Sequence, residues 1–193
     1  MDPHNHTTEI SRTPPIDWEF DLNKGTVLGK YVDIHPTAEI GEGTKIYSWV
    51  YIGANAVIGK RCNLTNWVQV DRECKLGDDC NIQPGVILNM GMRIGNQVWF
   101  SGGVIFSDER FPSVGEQIRN PTIVGDDVIF GIGALVRGGT RIGDRAVIGM
   151  GSVVLEDVPA DTVVAGNPAR YLYDRATYDR KKEEHERKRV AVA

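Results

Sequence analysis

Few residues in this chain of 193 are equipped for chemistry. The histidines are His4, His6, His35 and His185, so the stretch from 36 to 184 contains none. Cys62, Cys74 and Cys80 have no histidine or further cysteine to complete a tetrahedral zinc set. They read as core residues, and no metal site is expected. Carboxylates are the remaining acid–base candidates. Asp108 and Glu109 stand side by side after Ser107, at the start of the segment SDERFPSVGEQIRNPTI, residues 107 to 123. The polar Gln83 and Asn89 lie upstream of it. Downstream, Gly131, Gly133 and Ala134 recur 18 residues later as Gly149, Gly151 and Ser152 (149 − 131 = 18).

Bulk properties narrow the classes. The net charge is -4 and the pI about 5.6. Neither gives an electrostatic reason to expect nucleic acid or an anionic membrane as partner. No apolar run approaches the roughly 20 residues of a membrane span. Residues 1 to 15 are polar, have no apolar signal core and are expected to be mobile. An odd number of cysteines without a secretion signal suggests reduced thiols in a cytoplasm. Glycine, at 22 residues, is in excess.

The elements that must position these residues follow from a period of six. From Leu22, every sixth residue is apolar: Leu28, Ile34, Ile40, Ile46, Ile52, Ile58, Leu64, Val70, Leu76, Ile82, Leu88, Ile94, Phe100 and Phe106. The series fails at Pro112 and resumes at Val124, Phe130, Val136, Ile142, Ile148 and Val154. Glycine often follows the aliphatic residue, as at Gly41, Gly59, Gly77, Gly95, Gly125 and Gly143, and is expected to relieve strain where the chain turns. A small residue stands four places after the aliphatic one. Neither a helix nor a simple alternating strand has this period. A coil of three short strands does: each hexapeptide is one strand and one corner of a triangular prism. The expected fold is all-β, a parallel β-helix of about seven coils, roughly 34 Å tall at about 4.8 Å per coil. Residues 107 to 123 are thrown out as one protruding loop from a corner, and long loops on rigid scaffolds carry function. Residues 171 to 193 are expected to form a short helix on the last coil, anchored by Tyr171, Leu172 and Tyr178, and then a basic tail. The domain runs from 16 to 170. Tyr31, Trp49 and Trp67, also 18 apart, form an outward aromatic column suited to a subunit contact or, second, to stacking on a base or sugar.

The C-terminal coils, GDDVIFGIGALVRGGTRIGDRAVIGMGSVVLEDVPADTVVAGNPAR, resemble the hexapeptide-repeat acyltransferases, and the ending AGNPAR is similar to that family's signature. The resemblance covers residues 22 to 172. It implies a left-handed winding, a homotrimer about a threefold axis, and acetyl-CoA as co-substrate with its pantetheine arm in a groove between neighbours. It places Gly131, Gly133, Ala134, Gly149, Gly151 and Ser152 along the pantetheine and Arg170 near a phosphate of CoA. Gly131 and Gly149 occupy the repeat's own glycine column. Gly133 and Gly151 stand outside it, where a ligand is expected to come close.

Many such enzymes use a histidine of the coils as general base. Its absence here favours an amine acceptor, because free α-amino groups, with pKa near 7.7 to 8.0, are partly neutral at working pH, whereas a hydroxyl must lose its proton as it attacks. The layout resembles the nucleotide-sugar N-acetyltransferases acting on 3-amino sugars of surface polysaccharides such as lipopolysaccharide. Their Phe-Thr-Asn-Asp motif, with its Pro-Arg, corresponds here to Phe106, Ser107, Asp108, Glu109, Pro112 and Ser113. The resemblance thus makes Asp108 and Glu109 the catalytic candidates and Gln83, Asn89, Ser107, Asp108 and Glu109 the substrate contacts. Asp108 can hydrogen-bond the amine or take its proton. Two other readings are a non-catalytic scaffold and an O-acetyltransferase with Asp108 as base.

Overall fold

A computed structural model describes residues 27–109 and 121–192. The first repeat at Leu22, the segment 1–15 and residues 110–120 of the expected loop lie outside them. The chain forms a parallel β-helix of seven coils. Twenty strands of two residues each run from β1 (Val27–Leu28) to β20 (Val153–Val154), and from β2 (Asp33–Ile34) onward the second residue points inward. Strands one coil apart pair in parallel, as in Asn63 beside Asn81 and Asn81 beside Trp99. They build three sheets, a first of nine strands, a second of seven and a third of six. The first contains β21 (Thr162–Ala165) and β22 (Arg170–Asp174) as well.

Side chains fill the prism. Ile52, Leu64, Ile82, Leu88 and Phe130 are wholly buried. Phe100 stacks on Phe130 with ring centroids 4.8 Å apart, and Phe106 packs edge-on against Phe130 at 5.6 Å. This cluster fixes β14 (Ile105–Phe106), from which the chain departs. After the excursion, β15 (Ile123–Val124) pairs with β12 (Arg93–Ile94) in intact register. The strands on either side of this corner keep the register of the stack.

The three corners differ in chemistry. The glycine corner joins first-sheet to second-sheet strands (29–32 in the first coil). The loop corner joins the second to the third sheet (35–38), and the acidic corner joins the third to the first (41–44). On the acidic corner the backbone amides of Lys60, Asp78, Asn96 and Asp126 each donate to the side-chain oxygen of the residue one coil on: Asp78, Asn96, Asp126 and Asp144. This ladder explains the repeat's glycine column. Gly59, Gly77, Gly95 and Gly125 have ordinary negative φ; a Cβ on Gly95 would stand 2.7 Å from the carbonyl carbon of Gly125, and one on Gly125 2.7 Å from Asp144 N. Close approach between coils, not strain at a turn, excludes side chains there. Positive φ belongs to the third residue of a corner, and residues as large as Arg61, Trp67 and Arg145 adopt it.

The C-terminus departs from expectation. The signature AGNPAR forms the turn of an antiparallel hairpin between β21 and β22, with Val164 beside Tyr171. Helix α1 (Arg175–Val192) follows, 18 residues long and polar on all sides. Its anchor is Arg175, which is buried; it donates to the backbone oxygens of Asp127 and Arg145 and to the carboxylates of Asp127 and Asp179. Tyr178 lies beneath that guanidinium, but Tyr171 and Leu172 are exposed on the hairpin and anchor nothing.

Candidate functional site

The residues singled out in the sequence fall on two corners that flank the second sheet. Asn89, Ser107, Asp108 and Glu109 gather at the loop corner. Gln83, Gly131, Gly133, Ala134, Gly149, Gly151 and Ser152 lie on the glycine corner. Arg170 belongs to neither: it opens β22, exposed, and its Nη1 donates to the adjacent Ala169 oxygen at 2.9 Å.

At the loop corner, Ser107 is a fastener. Its Oγ accepts from Gly138 N at 2.8 Å and donates to Glu109 O at 3.0 Å. Asn89 directs its amide to the Phe106 carbonyl, tying β14 to the coil beneath. Asp108 forms no such tie among the described residues and is exposed. Partial burial, with the negative charges of Asp71 and Glu109 nearby, raises its carboxyl above the usual range. Asp71 was not among the residues picked from the sequence, nor was Arg137. The register carried the signal: Asp71, Asn89, Ser107 and Arg137 are successive members of one column, each following an inward apolar residue.

The glycine corner changes character along its length. Its positive-φ slot holds Tyr31, Trp49 and Trp67, then Gly85, Gly103, Gly133 and Gly151. The Tyr31 and Trp49 rings stack with centroids 4.2 Å apart, and Tyr31, Trp49 and Trp67 are all exposed. A Cβ built on Gly103, Gly133 or Gly151 would meet nothing within 4 Å. The amide ladder begins here too, with Lys30 donating to Ser48 Oγ and Ser48 to Asn66 Oδ1. It then stops, because Pro84, Gly102, Ile132 and Met150 offer no side-chain oxygen. The amides of Gly102, Ile132 and Met150 find no acceptor among the described residues. Ile105 and Leu135, exposed on the adjoining second sheet, extend an apolar flank.

Four members of the expected ligand set serve the fold. Ala134 and Ser152 are wholly buried in the small inward column, and Ser152 Oγ accepts from Gly166 N in the hairpin turn at 3.2 Å. Gly131 and Gly149 stand where a Cβ would collide: the Gly149 carbonyl carbon lies 2.8 Å from the first position and the Ala165 Cβ 2.6 Å from the second. Gly133 and Gly151 remain as the open pair. An open depression of about 440 Å³ near Arg141, Asp144, Asp157 and Pro159 includes none of these residues. No group of His, Cys, Asp and Glu suited to a metal is found among the described residues, and no described helix is long and apolar enough to cross a membrane.

Comparison with known proteins agrees with this geometry. The bacterial transferase hexapeptide family (six repeats) matches residues 37–72 and 121–156. No curated protein matches the sequence. Among solved structures, the acetyltransferase domain of PglB from Neisseria gonorrhoeae FA1090 superposes with a TM-score of 0.50 at 24% identity, covering 76% of this chain. LpxA from Acinetobacter baumannii gives 0.56 at 20% identity, over 81% of this chain and 77% of its own. A mutant GDP-perosamine N-acetyltransferase from Caulobacter crescentus, in complex with CoA and GDP-perosamine, gives 0.49 at 25% identity, over 77% of this chain. The chain spans 57% of the length of the Neisseria and Caulobacter structures. The likeness to the Neisseria and Acinetobacter structures is one of fold. Two stretches of the chain match the bacterial transferase hexapeptide model, and both lie in a parallel β-helix of seven coils.

Proposed function

We propose that the chain is an acyl-CoA-dependent N-acyltransferase that acts, as a homotrimer, on the amine of a nucleotide-linked amino sugar. One observation carries the reading: the glycine corner is open where the acidic corner is closed. On the acidic corner the outward amides of Lys60, Asp78, Asn96 and Asp126 are each met by an Asp or Asn of the next coil. On the upper glycine corner three amides stand free beside three glycines with clear space in front of them. An extended ligand with carbonyl oxygens and an apolar stem, such as the pantetheine arm of acetyl-CoA, suits such a strip. It replaces the missing side-chain oxygens and lies against Ile105 and Leu135.

The acceptor amine attacks the thioester carbonyl. The C–N bond forms, the C–S bond breaks, and CoA leaves as the thiol once the proton shed by nitrogen reaches sulfur. Asp108 orients the amine and stabilises its ammonium character during attack. Asp108 and the open strip lie on different corners of one prism; from Gly103 to Ser107 the chain advances four residues, no more than about 14 Å. A neighbouring copy whose loop corner faces this glycine corner closes the site, and the exposed aromatic column supplies contact area for the assembly.

Three measurements test the reading. Acetyl-CoA is incubated with a panel of amino-sugar nucleotides and the release of free thiol followed; no release with any amine, together with no thermal shift from CoA, overturns it. Sedimentation showing a stable monomer at micromolar concentration overturns the trimer. Mixing Asp108→Ala with Gly133→Arg subunits at subsaturating acetyl-CoA is expected to give more turnover than either variant alone, because a mixed trimer contains one intact composite site.

A further inference from the structure

The loop corner contains two buried, charged side-chain atoms that the described residues leave without a hydrogen bond, Glu109 Oε2 and Arg137 Nε. They belong to consecutive coils. Ser107 N donates to Val136 O, and Gly138 packs so closely on the Ser107–Asp108 peptide that a Cβ there would stand 2.6 Å from Ser107 O. The Arg137 side chain is only 20% exposed, and its Nη2 meets Glu156 at 3.2 Å. Glu156 is 75% exposed, and an ion pair to so solvated a carboxylate contributes little. Among the described residues Arg137 pairs with neither Asp108 nor Glu109, so the cation and the carboxylates do not neutralise each other.

Each orphan specifies what it lacks. An ionised carboxylate only accepts, so Glu109 calls for a donor. A guanidinium only donates, in a planar fork matched to phosphate and carboxylate. The carboxyl of Asp108, pushed up by burial and by Asp71 and Glu109, lies in a negative environment that suits an ammonium. We propose that Arg137 is a specificity-determining residue of the acceptor site, binding a phosphate or carboxylate oxyanion carried by the same molecule whose amine meets Asp108 and Glu109. The proposal rests on the acyltransferase reading and deepens it: the acceptor carries an amine and an oxyanion within one small molecule.

The test compares glucosamine, glucosamine 6-phosphate and muramic acid, an amine without an oxyanion, with a phosphate and with a carboxylate. Binding to the parent, Arg137→Gln and Arg137→Lys is measured by calorimetry without acyl donor, and turnover is measured with acetyl-CoA. The parent is expected to bind at least one oxyanion-bearing amine about 10- to 100-fold tighter than glucosamine, as for a charge-assisted hydrogen bond. The better of the two identifies the oxyanion. Arg137→Gln is expected to abolish that preference, leaving the affinity for glucosamine and for acetyl-CoA unchanged, and Arg137→Lys to keep part of it. The proposal fails if the parent shows no preference, if the preference survives in Arg137→Gln, or if that variant loses affinity for every ligand in step with a lowered unfolding temperature. Failure of the acyltransferase reading shows separately, as a parent that binds no acetyl-CoA.

Discussion

The acidic and glycine corners share one backbone and differ in what occupies it. At the positive-φ slot the acidic corner holds Gly43, Arg61, Asp79, Gln97, Asp127, Arg145 and Asp161. The conformation therefore does not demand glycine, although an L-residue there costs about 1–2 kcal/mol. The glycine corner holds three aromatic residues and then four glycines in the same slot. On the reading proposed above, glycine keeps this strip clear for the acyl donor. The acidic corner uses its side chains on itself: Arg145 meets Asp127, Asp161 and Asp179 at 3.2, 2.8 and 3.2 Å, and Arg61 meets Asp79 at 2.6 Å. One corner is a seam and the other the proposed berth.

The comparison is sharpest for carboxylates. Asp108→Ala is expected to lower turnover by about 10²- to 10⁴-fold with little change in CoA affinity, whereas Asp126→Ala is expected to leave turnover intact and cost about 1 kcal/mol through the lost bond from Asn96 N. Asp108→Asn keeps much of the activity if hydrogen bonding is the role. The raised carboxyl of Asp108 adds a sign. Its protonated form is the one favoured by folding, so its stabilising contribution is present at low pH and lost as pH rises through the folded value. Asp108→Asn is then expected to unfold at a slightly higher temperature than the parent at neutral pH, the difference vanishing in acid. The acid limb of turnover, read from a pH–rate profile, is expected to lie above the ordinary carboxylate range.

Paired glycines come next. Gly133→Arg copies what Arg145 does on the acidic corner and is expected to cost only about 1–2 kcal/mol of stability while reducing CoA affinity roughly 10-fold or more, equivalent to about 1.4 kcal/mol. Gly125→Ala is expected to do the reverse. Its Cβ meets the backbone of Asp144, so stability falls by about 1–3 kcal/mol and CoA affinity per folded molecule is unchanged. Equilibrium denaturation and calorimetry on both variants decide. If Gly133→Arg binds CoA like the parent, the berth is not where the donor lies.

The smallest effect concerns thiols. Burial pushes Cys74, on the loop corner, up to about 12. Cys62 and Cys80, on the acidic corner, direct their sulfurs at the Gly77 and Gly95 carbonyls. All three are expected to resist thiol reagents at pH 8 in the native protein and to react on unfolding. The Cys74 contribution to stability is present below the unfolded thiol value of about 8.5 and lost as pH rises toward 12. A thiol that reacts in the folded state identifies the corner that opens.

Period and composition made the prism legible, because an inward aliphatic residue every six positions is a local regularity. The coil count, the phase across the excursion and the burial of the cysteines all follow from it. What escaped depends on contacts between coils. The glycine column reads from sequence as turning, but its cause is close approach between coils, where the residue after each glycine donates to an Asp or Asn 18 residues on, or 30 where Asp126 faces Asn96 across the excursion. Ala134 and Ser152 resembled ligand contacts because small residues suit both a groove and a tight inward corner. Arg137 and Asp71 were readable only by laying the coils over one another. The hairpin made by AGNPAR was hidden because antiparallel pairing breaks the period that revealed everything else.

The loop corner joins its strands with 16 residues between Phe106 and Ile123, where an ordinary corner uses four, as between Leu28 and Asp33. Fourfold lengthening is two doublings, and each doubling of a closed loop costs only about 0.6 kcal/mol. The Phe100–Phe106–Phe130 packing and the unshifted pairing of β12 with β15 absorb that cost locally. The corner is therefore a socket for insertions: sequences of different length and chemistry can be exchanged there without re-engineering the stack. What such a corner recognises can thereby change on a schedule separate from that of the framework.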